Sequence, residues 1–402
     1  MLRAPSDSPT ASVADRRETL PALDRAAEAQ PTVRLGWRPW QARRRLARTA
    51  LRRLRRWPSA TLAAAALALG AGVIGWAIPH PGQLDPPAAP AYDLGTIVPP
   101  YNVALADPFV LVGKKLDYLY TSAASTKPPN VPVRPFTSLD HLGPETDAMP
   151  KLPPWTSGWI WAPDVRRVEG HYVMWFAAPD IHDVLDTGQP AKCLGVATAR
   201  SPLGPFVARP KPVFCGRWGE IDPRTFVAPD GQLWLDWKAD VNASWGPAQN
   251  PSLAANQPTT LWAQRLAPND LALEGPRYRL LTATQPWEHK LIEAPDMVSS
   301  NGRYYLFFSA NPSYGDNDGV AVADCRGPAG PCREPYAGPL VGSDALGLGP
   351  GEESLFTQAG ATWLLYSPTG VTFARQIAVS RIAFGPGGPY VAAFAGAVPG
   401  VH

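Results

Sequence analysis

Four short stretches of this 402-residue chain set an acid in or beside a step into proline: Ala106-Asp107-Pro108-Phe109, Trp161-Ala162-Pro163-Asp164, Ile221-Asp222-Pro223 and Ile292-Glu293-Ala294-Pro295. One Asp-Pro step is ordinarily a turn or the start of a strand. Repetition changes its meaning, because equivalent positions of repeated units can converge on one place. Three carboxyl groups gathered in one pocket, here Asp107, Asp222 and Glu293, cannot ionise alike; mutual repulsion separates a proton-bearing group from a charged one. Cleavage of a glycosidic bond by water uses that division, with one carboxyl protonating the leaving oxygen and another activating the water.

The elements that must position these acids are short strands. In Glu220-Ile-Asp-Pro-Arg-Thr-Phe-Val-Ala-Pro-Asp-Gly-Gln-Leu-Trp-Leu-Asp236, proline after the acid suits a strand entrance, since it cannot donate to a ladder. Asp230-Gly231 supplies a tight turn, and Leu233, Leu235 and Trp237 then alternate with Trp234 and Asp236. The same unit recurs from Asp107 into Lys115–Tyr120, from Trp161 into His171–Phe176, from Glu293 into Tyr304–Phe308, and from Gly351-Glu352-Glu353 into Thr362–Tyr366. The spacing is roughly 50–65 residues, the scale of a four-stranded propeller blade. An all-β, five-bladed β-propeller over residues 101–402 is the expected fold. Its axis would gather Asp107, Asp222 and Glu293 from the first, third and fourth blades.

The four acid-Pro motifs, in this order, resemble those of glycoside hydrolase family 43. So do Cys193-Leu-Gly-Val-Ala-Thr-Ala-Arg-Ser-Pro-Leu-Gly-Pro-Phe206 and Tyr304-Tyr-Leu-Phe-Phe-Ser-Ala-Asn311. The resemblance covers nearly all of residues 101–402. It implies an inverting propeller hydrolase acting on α-L-arabinofuranosyl or β-D-xylosyl linkages of arabinan, arabinoxylan or a cell's own envelope arabinan. Carried over residue by residue, Asp107 is the general base, Glu293 the general acid, and Asp222 the group that orients and tunes that acid. Arg375 matches the last-blade arginine facing the site, and Phe109 and Trp161 match walls of the sugar-binding funnel. No cofactor is required by this chemistry. In the fifth blade the family often has Gly-Pro-Gly-His where this chain has Gly349-Pro-Gly-Glu352, which leaves calcium at the propeller axis open. Invertases and levansucrases share the propeller and three acids, but Ile221-Asp222-Pro223 lacks their usual Arg-Asp-Pro. The reading from another class is a catalytically inactive glycan-binding propeller at the cell surface.

Other residues carry plainer readings. Asp164 suits a cap at its strand entrance, Trp161 could be core rather than sugar wall, and strand alternation turns Asp296 away from the acid beside it. His171, His182 and His289 are scattered, as ordinary polar histidines are.

The net charge of +3 conceals an asymmetry: residues 1–57 carry 14 Arg against 5 acids, and the remainder is net −6. Residues 1–57 read as a disordered basic tail. Ser59–Ile78 is uncharged and apolar over about 20 residues, the length of a bilayer span, so 58–79 is expected to be a transmembrane helix. Arginines on its N-terminal side orient the tail to the cytoplasm and the large domain outward. A cleaved signal peptide is the competing reading, but no small-residue cleavage site directly follows the apolar run. A Pro-rich stalk fills 80–100. The large domain shows no basic patch interleaved with aromatics, which argues against a nucleic-acid partner. The four cysteines fall as Cys193 with Cys215 and Cys325 with Cys332, and outside the cytoplasm such local pairs are expected to be disulfides. Zinc is the alternative, though no histidine stands at ligand spacing near either pair.

Overall fold

Alternating apolar residues make a strand bury one or both faces, and in this chain each hairpin adds its strands to a small twisted sheet. The structure, a computed structural model, describes residues 96–97, 105–185, 188–241, 257–311, 318–343, 349–368 and 376–392. The chain divides into two units, Met1–Pro81 and Gly82–His402, and every described residue falls in the second. The expected tail at 1–57 and span at 58–79 therefore lie outside the described residues, as does all of the 80–100 stalk but Thr96–Ile97. Among the described residues no helix is long and apolar enough to cross a membrane.

Five antiparallel sheets of four or five strands follow one another along the chain. Their innermost strands are Phe109–Leu111, Trp161–Val168, Glu220–Val227, Ile292–Ser300 and Ser354–Gln358. The units read from the sequence are these blades. Thr96–Ile97 pairs antiparallel with Ala378–Val379 of the last blade, so the start of the domain joins its final sheet.

The core is distributed around the ring. Tyr120 and Val133 pack on Met174 and Phe176 between blades 1 and 2, and Trp175 and Val196 pack on Leu235 and Trp237 between blades 2 and 3. Trp234 and Leu261 meet Leu306 and Phe308 between blades 3 and 4. Phe307 and Val322 meet Leu364 and Tyr366 between blades 4 and 5. Leu119 and Phe136 meet Phe356 and Leu365 between blades 5 and 1. Apolar contact thus runs through every blade junction, including the one that joins last to first. Burying one face of each sheet needs the next sheet, so the blades depend on one another for stability.

Both expected disulfides are present, Cys193–Cys215 and Cys325–Cys332. In each, the two cysteines are direct cross-strand partners, so the bond pins a two-residue outer strand to its blade.

Candidate active site

The repeated motif is a repeated backbone conformation. Asp107, Ala162, Asp222, Ala294 and Glu352 all have left-handed φ, between 44° and 57°, one per blade at the entrance of the innermost strand. A non-glycine residue there is strained by about 1–2 kcal/mol. The next residue is Pro108, Pro163, Pro223, Pro295 and, in the fifth blade, Glu353. In blades 2, 3 and 4 the ladder slips at this step, between Trp161 and Asp164, Ile221 and Arg224, and Glu293 and Asp296. One extra residue there makes a β-bulge, which re-aims the side chains on either side of it.

This equivalence refines the sequence reading. Asp107 and Asp222 occupy the left-handed position of their blades, whereas in blade 4 Ala294 takes it and Glu293 stands one residue earlier. The offset brings blades 3 and 4 together: the Ala294 N–H donates to Asp222 Oδ2 at 3.1 Å. Asp222 is buried, and burial followed by the charge of Glu293 pushes its carboxyl up to about 7, with Asp107 adding to the push and Lys238 opposing it. Asp107 and Glu293, 186 residues apart in the chain, thus both act on the same buried carboxyl. Asp107 is held from its own blade by Ser122, whose hydroxyl donates to Asp107 Oδ2 and accepts the Ala162 N–H of blade 2 at 2.8 Å. Glu293 Oε2 accepts from Lys238 Nζ at 2.7 Å. Lys238 in turn lies 3.1 Å from Asp240, which also pairs with Lys192.

A second cluster of acids is organised by one cation. The buried guanidinium of Arg224, from blade 3, lies 3.7 Å from Asp164 of blade 2 and 3.8 Å from Asp296 of blade 4. It donates to the Glu353 carbonyl of blade 5 at 3.3 Å and stands 5.2 Å from the ring centre of Phe109 in blade 1. All five blades therefore meet at this side chain. Asp296 also accepts the Leu355 N–H at 2.7 Å, so after the bulge it belongs to this cluster and not with Glu293. Asp164 accepts from Thr225 Oγ1 at 2.6 Å; it ties its blade to the next and does not cap its own strand entrance. Asp236 and Glu353 are buried beside them, and burial holds both carboxyls well above the usual range.

Trp161 is half-buried, with the edge of Trp159 at 6.2 Å between ring centres and Lys192 Nζ 5.3 Å from its ring. Phe109 is also half-buried and lies against Tyr120 as well as Arg224. Arg375 lies outside the described residues. His171, His182 and His289 are exposed. Lys238, Asp240, Lys192 and Arg224 were not anticipated from the sequence. The signal was present: Leu233–Ala239 is buried throughout, and Asp236 and Lys238 interrupt an apolar run. Buried charges need partners, so those two residues call for them on a neighbouring blade.

Among the described residues the group of three potential ligands with all ligand atoms within 4.8 Å is Asp180, Cys193 and Cys215, whose cysteines are joined to each other. The acids around Arg224 already have its guanidinium as counter-charge. A separate cavity of about 360 Å³ is lined by Pro150, Pro153, Pro154, Pro205 and neighbouring residues, and it contains none of these carboxylates.

Burial is the first cause of a raised carboxyl at Glu220 and Glu288 (about 8), Asp222 and Asp296 (about 7) and Asp270 (about 6). Their folded values lie above the unfolded ones, so the folded state holds the extra protons between about pH 4 and pH 8. Stability should fall as pH rises through that window. On the acid side Asp240, brought down to about 2 by Lys238 and Lys192 against the cost of burial, contributes stability that is lost as pH drops below about 4. A melting temperature roughly 5 °C or more lower at pH 8.5 than at pH 5 is expected in a calorimetric series. A flat profile would contradict the protonated state of these buried acids.

A propeller that brings a buried carboxyl, raised to about 7, within electrostatic reach of acids from two other blades has the kind of site that glycosidic bond cleavage uses. The sequence pattern of glycosyl hydrolases family 43 matches residues 98–389, and the chain belongs to that family. It is similar to "Xylosidase/arabinosidase 43A" of Humicola insolens, 25% identical over 265 residues, which span 59% of this chain and 76% of that one. It is also similar to "Extracellular exo-alpha-(1->5)-L-arabinofuranosidase" of Streptomyces avermitilis, 28% identical over 245 residues, 58% of this chain and 45% of the other. Among solved structures, a thermostable family-43 glycoside hydrolase superposes with a TM-score of 0.64 at 21% identity, covering 78% of this chain and 99% of its own. An α-L-arabinofuranosidase from Lactobacillus brevis gives 0.58 at 18% identity, covering 73% and 95%. These likenesses support the five-bladed fold.

Proposed function

We propose that this glycoside hydrolase removes α-L-arabinofuranosyl units, or with lower preference β-D-xylosyl units, by a single inverting displacement. The observation that carries the reading is that Asp107 and Glu293, from different blades, both lie within electrostatic reach of the buried Asp222. Glu293 as general acid gives its proton to the glycosidic oxygen as the bond to the anomeric carbon breaks. Asp107 as general base takes a proton from the water that attacks the opposite face. Asp222 holds the Ala294 N–H beside the acid and adds a charge that varies near neutral pH. Through the family resemblance Phe109 and Trp161 are assigned to the sugar-binding wall, and Arg375 as the last-blade arginine that faces the site and binds substrate. Relatives named for arabinosidase and xylosidase activities support the choice of sugar.

The N-terminal sequence extends the proposal to location. Arginine-rich residues 1–57 and the apolar run at 58–79 support a single-pass anchor with a cytoplasmic tail, placing the propeller outside the cell. An anchored enzyme suits arabinan or arabinoxylan at the surface, or the cell's own envelope arabinan. One preparation tests both parts. Full-length protein should pellet with carbonate-washed membranes and, after detergent extraction, release β-L-arabinofuranose first from an α-L-arabinofuranoside, as followed by proton NMR. Glycan binding without turnover would sink the hydrolytic reading, and a soluble full-length chain would sink the anchor.

A further inference from the structure

The position of Lys238 becomes informative when the blades are superimposed by register. Two residues beyond the cross-strand pairs Phe109–Tyr120, Asp164–Trp175, Arg224–Asp236, Asp296–Phe307 and Ser354–Leu365, the second strands carry Ser122, Ala177, Lys238, Ser309 and Ser367. In blades 1 and 4 the serine reaches the following blade and accepts the N–H of its left-handed residue: Ser122 from Ala162, Ser309 from Glu352. Blade 3 departs from this. The N–H of Ala294 is taken by Asp222, and Lys238 points past it to Glu293 Oε2. The backbone does not need a lysine here, and burying an ammonium is costly unless it is paired.

The pairing is elaborate. Lys238 Nζ lies 2.7 Å from Glu293 and 3.1 Å from Asp240 Oδ1, while Asp240 Oδ2 is held by Lys192 Nζ. Lys192 also stands over the ring of Trp161. Four alternating charges thus run from the acid to the aromatic wall. The ionisable neighbours of this ladder are Asp222 beside Glu293 and Lys238, Asp107 beyond Asp222, and Glu220, whose titration feels Asp240 and Arg277.

An ammonium donates hydrogen bonds and accepts none. A carboxylic acid accepts best at its carbonyl oxygen, so the oxygen of Glu293 that Lys238 grips is favoured as the carbonyl and the other as the hydroxyl. We propose that Lys238 is a positioning residue for the catalytic acid: by holding Oε2 it leaves Oε1 as the proton-donating oxygen, with Asp240 and Lys192 locking Lys238 in place. The inference rests on Glu293 being the acid. In the step it serves, the Oε1–H proton passes to the glycosidic oxygen, which keeps the electron pair of the breaking C–O bond, and Glu293 is left as a carboxylate facing Lys238.

Leaving-group dependence separates this role from a merely structural one, because a good leaving group departs without protonation. Detergent-extracted full-length enzyme is assayed on phenyl and on 2,4-dinitrophenyl α-L-arabinofuranoside. Lys238→Met should lower kcat on the phenyl substrate by about 100-fold yet stay within about threefold of wild type on the dinitrophenyl one. Asp240→Asn, which keeps the lysine and frees it from its lock, should show the same selectivity in smaller degree. Circular dichroism identifies variants that have not folded; should Lys238→Met be one, Asp240→Asn decides alone. Equal losses on both substrates, or no loss on either, overturn the positioning role and leave the hydrolase assignment standing. No turnover by wild type on either substrate removes the arabinofuranosyl assignment on which the inference rests.

Discussion

Glu293→Gln is expected to fold as the wild type does and to lose about 10²–10⁴ in kcat on substrates with poor leaving groups, and Asp107→Asn to lose a similar factor on every substrate. The asymmetry follows from their positions. The glutamine carbonyl can still accept from Lys238 Nζ, now 2.7 Å from Glu293 Oε2, so the pocket keeps its shape and loses only the transferable proton. An aryl leaving group that departs unaided should therefore rescue Glu293→Gln and not Asp107→Asn, because water still needs a base. At Asp107 the amide keeps an oxygen for the Ser122 hydroxyl, which now bridges Asp107 and the Ala162 N–H of the next blade. Steady-state kinetics across a series of aryl arabinofuranosides measures both. Rescue of Asp107→Asn by a good leaving group would reverse the two roles, and full activity in either variant would remove that residue from the mechanism.

The largest effect on stability is expected at Arg224. Replacing it with Met, similar in length and uncharged, should cost about 3–5 kcal/mol, the usual consequence of removing one partner from a buried charge cluster. The reason is topological as well as electrostatic. Arg224 touches Asp164, Asp296, Glu353 and Phe109 from four other blades, so its loss leaves acids facing one another where the blades meet. Burial holds the carboxyl of Asp296 at about 7 even with Arg224 present. Without the cation these acids can be relieved only by taking up protons, so the defect should be smaller at pH 5 than at pH 8. Urea denaturation at both pH values reads the difference. A cost below about 1 kcal/mol at pH 8 would show that the cluster is protonated and self-sufficient, with Arg224 of little consequence.

The fold was legible because its signals are local. Strand alternation in Leu233–Trp237, the Asp230-Gly231 turn and the acid-Pro steps depend on neighbours in the chain, and the proline step recurs in four of the five blades. The cysteine pairs were legible for the same reason, since each closes a short loop, of 22 and 7 residues. Asp296 stands apart from Glu293, as alternation predicts, but its place beside Arg224 was not legible. Alternation gives a residue's face only while the ladder is regular, and the bulge at Ala294-Pro295 resets the register just before it. Asp164 shows a related limit, because its partner Thr225 belongs to the next blade and is 61 residues away.

By itself, the amino-acid sequence determined the repeat, the strand entrances and the three carboxyl groups to watch, since residue type and two-residue periodicity act over a few bonds. Only the tertiary structure decided which acid carries the shifted proton, which oxygen of Glu293 a lysine occupies, and that a single guanidinium joins all five blades. Those properties come from charges brought out of water and against each other by ring closure. Electrostatic energy depends on distance and burial, and neither is written in the order of residues along a chain.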